Sequence, residues 1–188
     1  MIITILAEPR TGSTNLAYWF RLNTEFTVLI EPYNPKTYDY KKGKKLSEWE
    51  YDTPHLLIKE IYTIHTDLND LITKSDKIII LYRENKKEQS ESWVAANSTN
   101  NWTESWRPND KIKYHNNDTK IDYFYNLVDG FNTNYISNEN YFKISYEELY
   151  YNSGIQKIID YLNLDCVKNE NFPFGQKYRI DSAPNKLI

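Results

Sequence analysis

The sequence predicts a single α/β domain in three layers, with a mostly parallel sheet between two sets of helices. Two observations carry that expectation. Short runs rich in β-formers alternate along the chain with segments of helical periodicity, the pattern of strand–helix–strand units. The most apolar of those runs, Ile78–Tyr82, is continuous rather than alternating, as expected of a strand covered on both faces. Composition agrees. With 188 residues, 40% hydrophobic and 15% aromatic, the chain holds one ordinary domain. A domain of this size buries roughly 70% of its unfolded surface without a metal or disulfide staple.

Taken in order, Ile2–Leu6 reads as a buried strand ending at Glu8-Pro9. Ser13 or Thr14 then opens a helix reaching Leu22, with Leu16, Trp19 and Phe20 on one face. Phe26–Ile30 is a second strand, stopped by Pro32. Residues 33–53 hold a lysine-rich run and few aliphatics, and read as a mobile surface loop. Leu56–Ile61 is a strand, followed by a helix over Ile64–Lys74 with Leu68, Leu71 and Ile72 inward. After the central strand comes a helix from about Asn85 to Asn97. Residues 99–118, rich in Asn and Trp and without periodicity, read as a long loop and a candidate lid. Ile121, Phe124, Tyr125, Val128, Phe131 and Tyr135 have helical spacing, and Tyr141–Ser145 is a further strand. Ile155, Ile158, Ile159 and Leu162 mark the last helix, before an irregular tail over 166–188.

Charge and cysteine narrow the function. A net charge of −3 argues against a general grip on nucleic acid. The lone cysteine, Cys166, closes no internal disulfide, and no apolar run approaches the roughly 18–20 residues of a membrane span. With no signal-peptide pattern at the N-terminus, the expected compartment is the cytoplasm. The Asn, Lys, Ile and Tyr bias suggests an AT-rich genome, bacterial or viral.

In such a fold, ligands bind at the carboxyl ends of the strands. Two loops there can hold anions. The first is Ala7-Glu8-Pro9-Arg10-Thr11-Gly12-Ser13-Thr14, before a helix N-terminus. Against the nucleotide-binding pattern G-x-x-x-x-G-K-[ST], Gly12 and Thr14 fit, but Ala7 replaces the first glycine and Ser13 the lysine. That loss, and the lack of an acidic residue ending Ile78–Tyr82, argues against a kinase using Mg²⁺. The second loop is Arg83-Glu84-Asn85, with Ser90 and Ser92 on the helix after it. Arg83 either binds phosphate or pairs with Glu84 or Glu88.

Pro9-Arg10-Thr11-Gly12-Ser13-Thr14-Asn15-Leu16 resembles the 5′-phosphosulfate loop of sulfotransferases that use 3′-phosphoadenosine-5′-phosphosulfate. Leu81–Asn85 through Gln89 and Ser92 is similar to their 3′-phosphate motif, with Ser92 rather than Ser90 as its serine. Ile144–Leu149 resembles their Y-E-[DE]-L segment, whose tyrosine, here Tyr146, lies near adenine. The three occur in the family's order across residues 2–164. The resemblance implies a P-loop NTPase-like fold and sulfuryl transfer to a hydroxyl of a carbohydrate or small molecule. It also implies 3′-phosphoadenosine-5′-phosphate as product and no required metal.

On that resemblance, Arg10, Thr11, Gly12, Ser13, Thr14 and Asn15 hold the 5′ end of the donor, and Arg10 faces the bridging oxygen. Arg83 and Ser92 hold the 3′-phosphate. Glu31, in Ile30-Glu31-Pro32-Tyr33, matches a glutamate of related carbohydrate and tyrosyl sulfotransferases and is the expected general base. Its rival is His65; His55 and His115 have weaker cases. Lys59 is a candidate aid to the sulfonate. Lys177 and Arg179 match a closing loop only loosely. Trp102, Trp106 and Tyr114 either stack on an acceptor or pack beneath their loop. The competing class is a non-catalytic carbohydrate- or partner-binding module. Acceptor identity and oligomeric state are not encoded in any pattern found.

Overall fold

A computed structural model describes residues 1–37, 39, 41, 46–48, 53–63, 67–99, 118–152 and 154–164. Five strands form one all-parallel sheet: β1 (Ile2–Ala7), β2 (Thr27–Ile30), β3 (Leu56–Ile61), β4 (Lys77–Tyr82) and β5 (Phe142–Ser145). Their spatial order is β2-β3-β1-β4-β5, so β1 lies in the middle. Among the described residues, six α-helices lie between and after them: α1 (Ser13–Asn23), α2 (Asn69–Lys74), α3 (Lys86–Thr99), α4 (Asp118–Phe131), α5 (Tyr146–Tyr151) and α6 (Gly154–Leu162). The sequence expectation of an α/β chain with a parallel sheet is met.

Strand alternation decides which helix covers which face. Ile3, Ile5 and Ala7 of β1 face Leu16, Trp19 and Phe20 of α1, together with the apolar side of α6. Leu6, Ile58 and Ile80 face the other way, onto Leu71 of α2 and Leu127 and Phe131 of α4. Trp93 and Val94 of α3 pack on Phe124 and Val128 of α4, outside that layer. Among the described residues, no helix is long and apolar enough to cross a membrane.

This topology opens a crevice at a defined place. The chain leaves β1 toward the α1 face, and leaves the adjacent β4 toward the α3–α4 face. Neighbouring parallel strands whose connections diverge to opposite faces part at their carboxyl ends, where open sheets of this kind bind ligands. The two loops there are Glu8–Gly12 and Arg83–Asn85.

Several local expectations are corrected. The helix before β4 begins at Asn69 rather than Ile64, with Asp67 Oδ1 accepting from Asn69 N at 2.9 Å in an Asx turn. Within the lysine-rich 33–53 loop, a 3₁₀ turn at Leu46–Glu48 is docked: Leu46 is buried and its N–H donates to Asp70 Oδ2 at 2.7 Å. Tyr146, just past the expected strand end, begins a short helix that the sequence did not indicate. Ser145 caps that helix, its hydroxyl accepting from Glu148 N at 3.1 Å. The expected lid, residues 99–118, lies almost wholly outside the described residues.

Candidate functional site

The loop after β1 is held in a conformation that ordinary residues avoid. Arg10 and Gly12 both have positive φ, 64° and 73°. Thr11 between them is buried and donates its hydroxyl to Glu8 O at 2.9 Å, so only its backbone faces a ligand. No side chain caps α1; the Gly12 carbonyl instead accepts from Asn15 N and Leu16 N. The first N–H groups of α1, at Ser13 and Thr14, have no partner within the helix and add to the positive end of its dipole. Ser13 is buried, and Thr14 and Asn15 are half-buried.

Gly12 answers a constraint the sequence did not reveal. A Cβ there would sit 2.3 Å from Tyr150 Oη and 2.7 Å from two of its ring carbons. Tyr150 Oη donates to Gly12 O at 3.0 Å. The glycine therefore admits a tyrosine of α5 as well as the left-handed turn.

The loop after β4 is tied to the first through a buried carboxylate. Glu8 is wholly buried; both its oxygens accept from Lys86 Nζ, at 2.6 and 2.7 Å, and Oε2 also accepts from Gln89 Nε2 at 3.0 Å and Arg83 N at 3.2 Å. Gln89 Nε2 also donates to Pro9 O at 2.8 Å. On this shared base the two arginines converge. Arg10 Nε donates to Ser92 Oγ at 2.9 Å, and Arg83 Nη1 lies 3.5 Å from Arg10 O. Burial, and then the charge of Arg83, lower the Arg10 pKa. Thus Ser92, expected to share the 3′-phosphate with Arg83, accepts from Arg10, while Ser90 donates its hydroxyl to Lys87 O within α3.

Arg83 is only 7% exposed and lies over the Tyr146 ring, 4.5 Å from its centroid. Its Nη2 pairs with Glu88 Oε2 at 2.8 Å, and Glu147 Oε1 stands 3.8 Å from its Nε. That Nε is buried without a hydrogen-bond acceptor among the described residues. Both readings of Arg83 thus have support: it has ion-pair partners, and it keeps a buried donor that an anion would satisfy.

A second cluster lies at the ends of β2 and β3. Glu31, at φ 52°, pairs with Lys59, which is wholly buried, and accepts from Asn34 Nδ2 at 2.8 Å. Burial alone would raise the Glu31 pKa; the Lys59 charge and the two hydrogen bonds outweigh it, so the carboxyl sits below its usual value. Lys59, the expected aid to a sulfonate, is thus engaged by the expected base. β2 lies two strand spacings from β1, about 10 Å. His55 precedes β3 at the amino end of the sheet, about six residues or 20 Å from this edge, which removes it from the site. His65, His115, Lys177, Arg179, Trp102, Trp106 and Tyr114 lie outside the described residues.

Sequence reasoning missed two carboxylates. Glu8 was passed over as the end of a strand, and Glu60 for lack of a motif. Glu60 is 3% exposed, accepts from Tyr33 N and Ile61 N at 3.1 Å each, and burial pushes its pKa up to about 7. No family model matches the chain, and no curated protein does.

Proposed function

We propose that the protein is a sulfotransferase of P-loop-like fold that moves a sulfonate from 3′-phosphoadenosine-5′-phosphosulfate to an acceptor hydroxyl on a carbohydrate or small molecule. The carrying observation is the convergence of Arg10 and Arg83 beside an uncapped helix N-terminus, at the carboxyl ends of β1 and β4. Two like-charged arginines brought close, with the buried Nε of Arg83 lacking an acceptor among the described residues, suit a polyanion. The donor set is one of guanidiniums, hydroxyls and N–H groups, which fits phosphate and sulfonate oxygens.

The donor, when bound, supplies a sulfonate on a good leaving phosphate. The chain's residues do the rest. The N–H groups at the start of α1 and the Thr14 hydroxyl orient the 5′ end, and Arg10 stabilises charge on the departing oxygen. Arg83 takes the 3′-phosphate, and Tyr146 offers its ring beside it. Glu31, kept ionised by Lys59, accepts the acceptor's proton. Lys59 holds that carboxylate in place.

Binding of 3′,5′-adenosine bisphosphate tests the donor site. It is expected to raise the melting temperature more than ATP does, and Arg83→Ala to abolish the difference. Equal shifts with both nucleotides, unaffected by Arg83→Ala, overturn the proposal. Turnover with labelled donor separates enzyme from binding module: Glu31→Gln is expected to remove turnover while bisphosphate binding persists.

A further inference from the structure

The two carboxylates beside Arg83 are not equivalent. Glu147 is fixed: its oxygens accept from Glu84 N at 3.0 Å and Asn85 N at 3.1 Å, joining α5 to the loop after β4. Glu88 is not fixed in that way. Asn85 Oδ1 accepts from Glu88 N at 3.1 Å, so Asn85 acts as the N-cap of α3 and Glu88 stands at the third helical position. In a reciprocal capping box, a glutamate there reaches back to the N-cap N–H. Glu147 already occupies that N–H, and the Glu88 carboxylate turns to Arg83 instead, 2.8 Å from Nη2. Its side chain is 44% exposed, against 8% for Arg83. Only the Asn85 amide, at 3.3 Å, otherwise touches it among the described residues.

We infer that Glu88 is a resident counter-anion on Arg83, displaced when a phosphate dianion binds, and so sets the affinity and the charge selectivity of this site. The inference rests on the proposed reading of Arg83 as the 3′-phosphate arginine. The physical reasoning is a competition. A half-exposed carboxylate loses little on returning to water, whereas a dianion gains more from a buried guanidinium than a monoanion does. The first turn of α3 favours negative charge in either state, so the helix dipole does not oppose the exchange. Glu147 stays in place throughout, because its removal would strip two backbone N–H groups of their acceptor.

Titration calorimetry at fixed ionic strength tests this with 3′,5′-adenosine bisphosphate and with 5′-AMP, which lacks the 3′-phosphate. Glu88→Gln is expected to tighten bisphosphate binding about three- to five-fold, the range of a partly exposed ion pair, and to leave 5′-AMP nearly unchanged. Glu91→Gln, which removes the same charge elsewhere on α3, is expected to change neither by more than a fraction of that. Unchanged or weaker bisphosphate binding in Glu88→Gln, with binding intact in the wild type, overturns the inference and leaves the proposed function standing. Equal tightening by Glu91→Gln, or equal tightening toward 5′-AMP, also overturns it, since a diffuse charge effect would then suffice. If the wild type and Glu88→Gln both fail to bind the bisphosphate, the donor-site reading falls and the inference with it.

Discussion

Replacing Glu60 by glutamine is expected to abolish a loss of stability that the wild type undergoes as pH rises from 4.5 to about 7. The Glu60 carboxyl is 3% exposed on the α2–α4 face, aligned with Leu6 of β1. Burial raises its pKa from 4.5 to about 7, against the opposing pull of two backbone N–H groups and of Lys59. Between those values the folded state holds a proton that the unfolded chain releases, so stability falls as pH rises through that window. At 1.36 kcal/mol per pH unit, the full effect is about 3 kcal/mol, developed between roughly pH 4.5 and 7. Glutamine never ionises; its carbonyl oxygen accepts from one N–H while its amide leaves the other unpaired, so the variant carries a fixed cost and loses only the pH dependence. Urea denaturation at half-unit steps from pH 5 to 8.5, on both proteins, is the assay. Glu31, whose pKa is lowered, gives stability that is present above its ordinary value and lost as pH falls below it, so it acts beneath this window. Parallel stability curves for wild type and Glu60→Gln across pH 5–8 would refute the reasoning.

Two other substitutions test the loop architecture. Gly12→Ala is expected to destabilise by roughly 2 kcal/mol or more, from the positive φ and the overlap with Tyr150, read as a loss of melting temperature. Adding Tyr150→Phe should recover only part of it, because two ring carbons remain 2.7 Å from the new Cβ. Glu8→Ala is expected to cost about 3–5 kcal/mol by leaving Gln89, Arg83 N and Lys86 without their acceptor. Lys86→Met alone strands a buried carboxylate, so the double variant should be markedly less damaged than the two single losses added, which a denaturation double-mutant cycle measures.

The strands were legible because a parallel sheet buries both faces and writes apolar runs, as in Ile78–Tyr82. The loop after β1 was legible because a strand end, Gly12 and a helix start coincide within a few residues. What escaped depended on contacts distant in sequence. Gly12 was read as a place for an anion to approach, whereas the atoms nearest its missing Cβ belong to Tyr150. The hydrogen bond from Arg10 to Ser92 joins residues of the two separate loops and has no local signal in the sequence. Glu8 and Glu60 gave no signal at all, since a glutamate at a strand end looks solvent-facing until segments distant in sequence, the loop after β4 with α3 and the loop after β2, supply donors. The short helix that Tyr146 begins has little signal in the sequence, because the Ser145 cap that starts it is a single residue.

Among the described residues, three other than glycine have positive φ, and two of them, Arg10 and Glu31, are candidate functional residues. Strain of this kind persists where surrounding structure enforces it, and it collects at functional sites. Arg10 makes the case testable, because its backbone conformation and its burial both work against it. The left-handed backbone costs an arginine roughly 1–2 kcal/mol that glycine does not incur. Burial and the charge of Arg83 disfavour its guanidinium. The Ser92 hydrogen bond opposes them, at about 1 kcal/mol. Arg10→Gly relieves that backbone strain, so the fold should be retained in urea denaturation while binding of 3′,5′-adenosine bisphosphate is lost. A structural arginine predicts the reverse, with marked destabilisation and retained binding. A fold retained together with binding lost is the mark of a residue held in place for its ligand rather than for the fold.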